Sequence, residues 1–304
     1  MVSGGRSPLT SEQFASIVVP TRDRAKLLSD CLASLLHQDR STDSYEIIVV
    51  DDGSSDNTAA CVDEIVCANP GRVRYIHQMP LGLNAARNRG VGAATGQIVC
   101  FIDDDEIAPN DYLTRLLEAA ITSRGFAAVG GPYRTRLAGP RPRFVCERCL
   151  TLYAAGFSGA DTSPTRVDGL LGGNMAIWKT SFARYGLFDG RLSGPFDETE
   201  WFQRATKLGA RFLLVPDAWV YHQRRSEDLH LLALLRRHIA RARQGAWNHR
   251  ITNVPIDIPA ITRHGLRTLA HASIHACVVG AAQGVGALAL AGFWLFTTTR
   301  ADNQ

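Results

Sequence analysis

Excess charge is what this sequence has least of: 33 Lys and Arg stand against 29 Asp and Glu, a formal net charge of +4 over 304 residues. So mild a balance leaves no electrostatic footprint for nucleic acid, and none is expected as a partner. A disulfide framework is lacking too. Seven cysteines, an odd number, are scattered at 31, 61, 67, 100, 146, 149 and 277. Cys31 and Cys100 fall inside apolar periodic segments and read as small core residues. Cys146 and Cys149, in "CERC", have no second CxxC to complete a zinc site and read as reduced structural cysteines. The polar opening "MVSGGRSPLTSEQ" lacks the apolar stretch of a secretory signal, so a reducing, cytoplasmic setting is expected.

Internal repeats and low-complexity tracts are absent. The first strand–helix turn, "VVPTRDRAKLL", lacks the glycine fingerprint of dinucleotide binding, which argues against a dehydrogenase. A phosphatase with an aspartate nucleophile wants that residue after an early strand, whereas Asp103 follows the fourth.

What is present begins with composition: 45% hydrophobic and 20% charged residues suffice for a folded core. "FASIVVP", "YEIIVV", "RVRYIH" and "QIVCFI" are short apolar runs that read as strands. Between them lie helical patterns, such as Leu27, Leu28, Cys31, Leu32, Leu35 and Leu36 on one face, a helix from about Thr58, and the glycine-punctuated "GLNAARNRGVGAAT". Alternation of this kind implies right-handed crossovers and an α/β fold with a mostly parallel sheet flanked by helices. Residues 130–175 read as a long Gly-, Pro- and Arg-rich connection, after which strand character resumes and leads to His222.

Two acidic clusters stand at strand ends: Asp51 and Asp52 after the second, and Asp103, Asp104 and Asp105 after the fourth. Parallel strands place both on one edge of the sheet, where ligands bind in such folds. Crowded carboxylates repel and are costly to bury unless a cation neutralises them, and Mg²⁺ typically takes one or two of them and completes its shell with phosphate oxygens. The competing reading is a solvated acidic turn capping the next helix.

In order and spacing, "VVPTRDRAKLLSDCLASLLHQ", "YEIIVVDDGSSDNT", "GLNAARNRGVGAATGQIVCFIDDDEIAP" and the later "LLGGNMAIWKTSFARYGLFDGRL" and "FDETEWFQRATKLGARFLLVPDAWVYH" resemble the family 2 glycosyltransferases over residues 14–222. The resemblance implies a GT-A fold that binds a nucleotide-activated sugar, with a UDP-sugar favoured, and an inverting, metal-assisted displacement using Mg²⁺ or Mn²⁺. By motif, Pro20, Thr21 and Arg22 would border the nucleobase; the family commonly has an aromatic and an Asn where this chain has Arg22 and Asp23. Asp52, with Asp51 beside it, would accept a hydrogen bond from the base. Asp52 is also suited to an Asx turn or helix cap, a task Asp56 fits equally. Arg87 would face the nucleotide, balancing phosphate or pairing with an aspartate of the cluster. Asp105 would touch the metal, Asp103 would serve the ribose or the metal, and Asp104 stands between them. The family's acidic pair, usually Glu-Asp, is matched in swapped order by Asp197 and Glu198, with Glu198 the expected base. Gly172 and Gly173 would let backbone approach the ligand, and His222 would complete the metal shell. A nucleotide-sugar binder without catalysis is the alternative.

The expected organisation is a GT-A domain over 1–225, a basic amphipathic helical segment over 226–275 with Arg236, Arg237, Arg241 and Arg243, and a charge-free hydrophobic helix over 276–299. That last stretch is long enough for a bilayer core of ~30 Å at ~1.5 Å per residue, though Gly280, Gly284, Gly286, Gly292 and Gln283 dilute it. The competing reading packs it on the domain. Membrane association at the inner face of the cell membrane is the expectation, and the hydroxyl acceptor is then lipid-linked, with a soluble small molecule as the other choice.

Overall fold

The computed structural model describes residues 14–141, 145, 163–192 and 197–229, and isolated positions between 233 and 288. Cys146, Cys149, most of the basic segment, with Arg237, Arg241 and Arg243, and nearly all of 276–299 lie outside them. Among the described residues, no helix is long and apolar enough to cross a membrane.

Four parallel strands form the heart of the larger sheet: β1 (Ala15–Thr21), β2 (Tyr45–Asp51), β3 (Val73–His77) and β4 (Ile98–Ile102), in the spatial order 3-2-1-4. β1 and β2 bury every residue along their length, because both faces are covered by helices. Alternation along the strands then divides the core in two. Ile17, Val19, Ile47 and Cys100 pack with α1 (Ala25–Leu36), α2 (Thr58–Ala68) and α4 (Tyr112–Thr122). Val18, Ile48, Val99 and Phe101 pack on the other face with α3 (Leu83–Ala93), α5 (Lys179–Tyr185) and α6 (Thr199–Lys207). Gly90 lets α3 lie directly on β1: a Cβ there would sit 2.3 Å from Val18 Cγ1.

The chain travels outward from β1 to β3, then α3 returns it to β4 on the other side of β1. This reversal makes a switch point between β1 and β4, and the crevice beyond their carboxyl ends is where this class of sheet binds ligands. Beyond β4 the sheet continues through antiparallel β9 (Asn174–Trp178), then β6 (Ala128–Gly130), β10 (Phe212–Leu214) and β8 (Thr165–Val167).

A second sheet of three strands, in the order β5-β11-β7, stands at the crevice: β5 (Glu106–Ile107), β11 (Val220–Arg225) and β7 (Tyr133–Ala138). Two expectations change here. Residues 133–138 lie within the stretch read as a connection but form β7, which pairs in parallel with β11. Its alternation is written in arginines against Tyr, Thr and Leu, so an apolar period-2 signal is missing. His222 does not follow a strand but lies inside β11, because that pairing continues to Arg225.

Candidate active site

The acidic run leaves β4 as a tight turn. The Glu106 amide donates to Asp103 O at 3.1 Å and the Asp103 amide donates to Glu106 Oε2 at 3.2 Å. Successive side chains therefore diverge. Asp104 turns back to β1, accepting from Thr21 Oγ1 at 2.7 Å and Arg24 Nη1 at 2.8 Å. Asp105 turns to β11, where its Oδ2 meets His222 Nε2 at 3.2 Å and Arg224 Nη1 at 3.1 Å. Asp103 keeps 31% of its side chain exposed and faces Arg87 Nη2 at 3.7 Å. Arginine can only donate, so the 3.1 Å contact of Arg224 Nη2 with His222 Nδ1 leaves the ring proton on Nε2, facing Asp105.

The electrostatics separate these groups. Burial and the charge of Asp105 raise Asp103 despite Arg87, and burial pushes Asp104 up to about 6 despite Arg24. Burial opposes ionisation of Asp105 as well, but His222, Arg224 and Arg24 outweigh it and hold that carboxyl below the ordinary range. Glu106 is fully buried; burial, then Asp103 and Asp105, lift it well above a normal glutamate, and its Oε1 has no hydrogen-bond partner.

Carboxylate oxygens of Asp103, Asp105 and Glu106 lie within 4.8 Å of one another. Four carboxyl groups, at 103 to 106, thus face three guanidinium groups, Arg24, Arg87 and Arg224, so the corner is short of positive charge. The orphaned Glu106 oxygen and the hard oxygen donors fit a divalent cation such as Mg²⁺ or Mn²⁺.

Arg87 connects this corner to the second acidic pair. It is fully buried, not a surface residue of α3, and its Nη1 lies 2.8 Å from Asp197 Oδ1. Asn84 fixes the same junction by donating to Asp197 O at 3.0 Å. Asp197 is thereby committed to an ion pair, whereas Glu198, half-buried at the start of α6, makes no side-chain cap bond. Burial, then the neighbouring Asp197, raise the Glu198 carboxyl.

Gly172 and Gly173 have a packing reason of their own. A Cβ at Gly172 would lie 2.5 Å from Arg87 Nη2, and one at Gly173 would lie 2.5 Å from Glu106 Oε1 and 2.6 Å from Asp103 Oδ2. Glycine lets this segment cross directly over the acidic corner.

Asp51 and Asp52 stand on the same edge but in the neighbouring loops. Asp51, the last residue of β2, accepts from Ser54 N at 2.8 Å and Tyr75 OH at 2.6 Å. Asp52 accepts from Gln78 Nε2 at 2.7 Å and from the amides of Leu81 and Gly82 at 2.8 Å, so it pins the loop that opens α3. Asp56 makes the Asx turn that leads into α2, accepting from Thr58 N at 2.9 Å. Pro20 is buried in β1 opposite Val50, and Arg22 is exposed beside Asp23. Asp23 holds φ at 52°, a left-handed conformation tied down by Ser55 N at 2.6 Å.

Arg24, Glu106, Tyr133 and Arg224 belong to the site without having been assigned a role from sequence. Tyr133 OH accepts from Gly173 N at 2.9 Å, and its ring meets that of His222 edge-on at 5.1 Å. A period-2 reading of "YHQRR" would have put Arg224 on the face of His222.

Residues 16–183 match the family described as Glycosyl transferase family 2. The chain belongs to this family. Among family relatives, the succinoglycan biosynthesis protein ExoM of Rhizobium meliloti is 30% identical over 225 residues, covering 73% of this chain and 67% of that protein. The uncharacterized glycosyltransferase YibD of Escherichia coli is 35% identical over 36% of this chain and 32% of its own length. The GalNAc(5)-diNAcBac-PP-undecaprenol beta-1,3-glucosyltransferase of Campylobacter jejuni is 35% identical over 38% of this chain and 37% of its own. The chain thus spans about a third of several curated relatives it matches. GalNAc-T7, solved with UDP, GalNAc and Mn2+, aligns at a TM-score of 0.58 and 19% identity over 71% of this chain and 44% of its own, a likeness of GT-A fold.

Proposed function

We propose that this family 2 member transfers a sugar from a nucleoside diphosphate donor, a UDP-sugar, to an acceptor hydroxyl by direct displacement with inversion at C1. The observation that carries the reading is Arg87, buried between Asp103 of the acidic corner and Asp197 beside Glu198. One guanidinium thereby fixes the donor-binding group and the base relative to each other.

Pro20, Thr21, Arg22, Asp51 and Asp52 border the nucleoside. Asp52 Oδ2 accepts one hydrogen bond, from Gly82, and keeps acceptor capacity for a ring N–H. Asp103, Asp105 and Glu106 would hold the divalent ion, and His222, with one ring nitrogen on Asp105 and the other on Arg224, would orient Asp105 toward it. When bound, the ion neutralises charge on the leaving diphosphate. Arg24 and Arg224 keep further positive charge at the same corner. Glu198 takes the proton of the acceptor hydroxyl as its oxygen attacks C1 and the bond from C1 to the phosphate oxygen breaks. A raised carboxyl suits a base that must hold a proton after taking it.

The acceptor is a lipid-linked hydroxyl or a small molecule met at the inner face of the cell membrane. In support, ExoM carries a polysaccharide in its name and the Campylobacter relative an undecaprenol-linked saccharide. Calorimetry with UDP, GDP and dTDP, each with and without Mn²⁺, tests the donor site. One nucleotide is expected to bind in a metal-dependent way that Asp105→Ala abolishes. No binding by folded protein overturns the proposal, and binding without sugar transfer or donor hydrolysis favours the non-catalytic binder.

A further inference from the structure

The small sheet has two unlike faces. Tyr133, His222 and Arg224 point to the acidic corner. Alternation sends Tyr221, Gln223 and Arg225 of β11 to the opposite face, and register sets Arg134 beside Tyr221 and Arg136 beside Gln223. Ile107 of β5 lies on the other side of Tyr221. Trp219 extends the row: its ring meets Tyr221 at 4.8 Å, and Arg134 lies over its face at 3.9 Å. Arg134, Arg136 and Arg225 are exposed, while Trp219 and Tyr221 are half-buried.

β7 and β11 contain no acidic residue at all. The outward face is therefore cationic and aromatic together. Amphipathic rings with a polar edge settle at the boundary between water and hydrocarbon, and arginine beside them seeks phosphate. A patch made only for solubility would mix both signs of charge.

We propose that this outward face docks on a bilayer surface carrying anionic headgroups, with Trp219 and Tyr221 at the interface and Arg134 and Arg136 against lipid phosphates. A single sheet then separates the headgroups from Asp105. The proposal rests on the glycosyl-transfer reading only for its purpose, since it keeps the donor site beside lipid-borne acceptors. The physical claim stands apart from the chemistry.

Flotation of the full chain with vesicles tests it, using phosphatidylglycerol in phosphatidylcholine against phosphatidylcholine alone. Binding to the anionic vesicles is expected, falling steeply between 50 and 300 mM salt as an electrostatic contact must. An arginine near an anionic surface contributes about fivefold, so losing two in Arg134→Gln/Arg136→Gln should weaken binding by about 30-fold. Metal-dependent nucleotide binding should be unchanged in that variant, which separates this proposal from the donor-site reading. Should the double variant misfold, Arg136→Gln alone, at an exposed position, is expected to cost about fivefold. Unaltered vesicle binding in these variants would assign attachment to another part of the chain and overturn the proposal. So would equal binding to neutral vesicles, or a soluble polyanion binding in place of vesicles.

Discussion

Arg87 Nη1 lies 2.8 Å from Asp197 Oδ1, and both side chains are at least 98% buried. A charged pair so deep is held by mutual neutralisation, and removing one member strands the other in a low dielectric. Arg87→Ala is expected to lose about 3–5 kcal/mol of stability, read from the denaturant midpoint. Asp197→Ala should lose a similar amount, and the double variant less than the sum, because the two share one interaction. Additive losses would show that the pair is not a unit.

Glu198→Gln should lower kcat by about 10²–10⁴-fold with donor affinity nearly unchanged, as expected when only proton abstraction is lost. The base works ionised, and burial, then Asp197, raise its carboxyl. The rate of the wild-type protein should therefore climb with pH above the ordinary glutamate range before levelling. Asp197→Asn should move that limb to lower pH. A flat profile in the wild type would remove Glu198 from the role.

Mn²⁺ should raise the melting temperature, by about 2.7 kcal/mol of stabilisation at 100 times its dissociation constant. Glu106→Gln should weaken that response, because it takes one of three converging carboxylates. A chelator should return the wild-type protein to its metal-free melting point. Full retention of the Mn²⁺ response in Glu106→Gln would exclude that side chain as a ligand.

Gly173→Ala places a methyl 2.5 Å from Glu106 Oε1 and 2.6 Å from Asp103 Oδ2. Relief requires moving the acidic corner or the strand behind it, at a cost of about 1–3 kcal/mol. Nucleotide binding in the presence of Mn²⁺ should fall with it. Unchanged stability and binding would mean that the segment yields without disturbing the carboxylates.

Much of this was legible along the chain. Apolar runs located β1 to β4, and parallel pairing put Asp51, Asp52 and Asp103 to Asp105 on one edge. β7 was hidden because its alternation is polar, and Arg24 because nothing local ties it to residues 80 positions away. Asp52 shows the limit from the other side: its surroundings in sequence suggest a local turn, yet all three of its donors come from the loop after β3.

By itself the sequence determined β1 to β4, the helices between them and the acidic residues at their ends, since periodicity is a local property that side-chain order encodes. Tertiary structure decided which carboxylates are neutralised and which are left over. Arg87 reaches Asp197 across 110 positions, and Arg224 reaches Asp105 across 119. Charge compensation falls off with distance in space, and only the folded chain sets that distance.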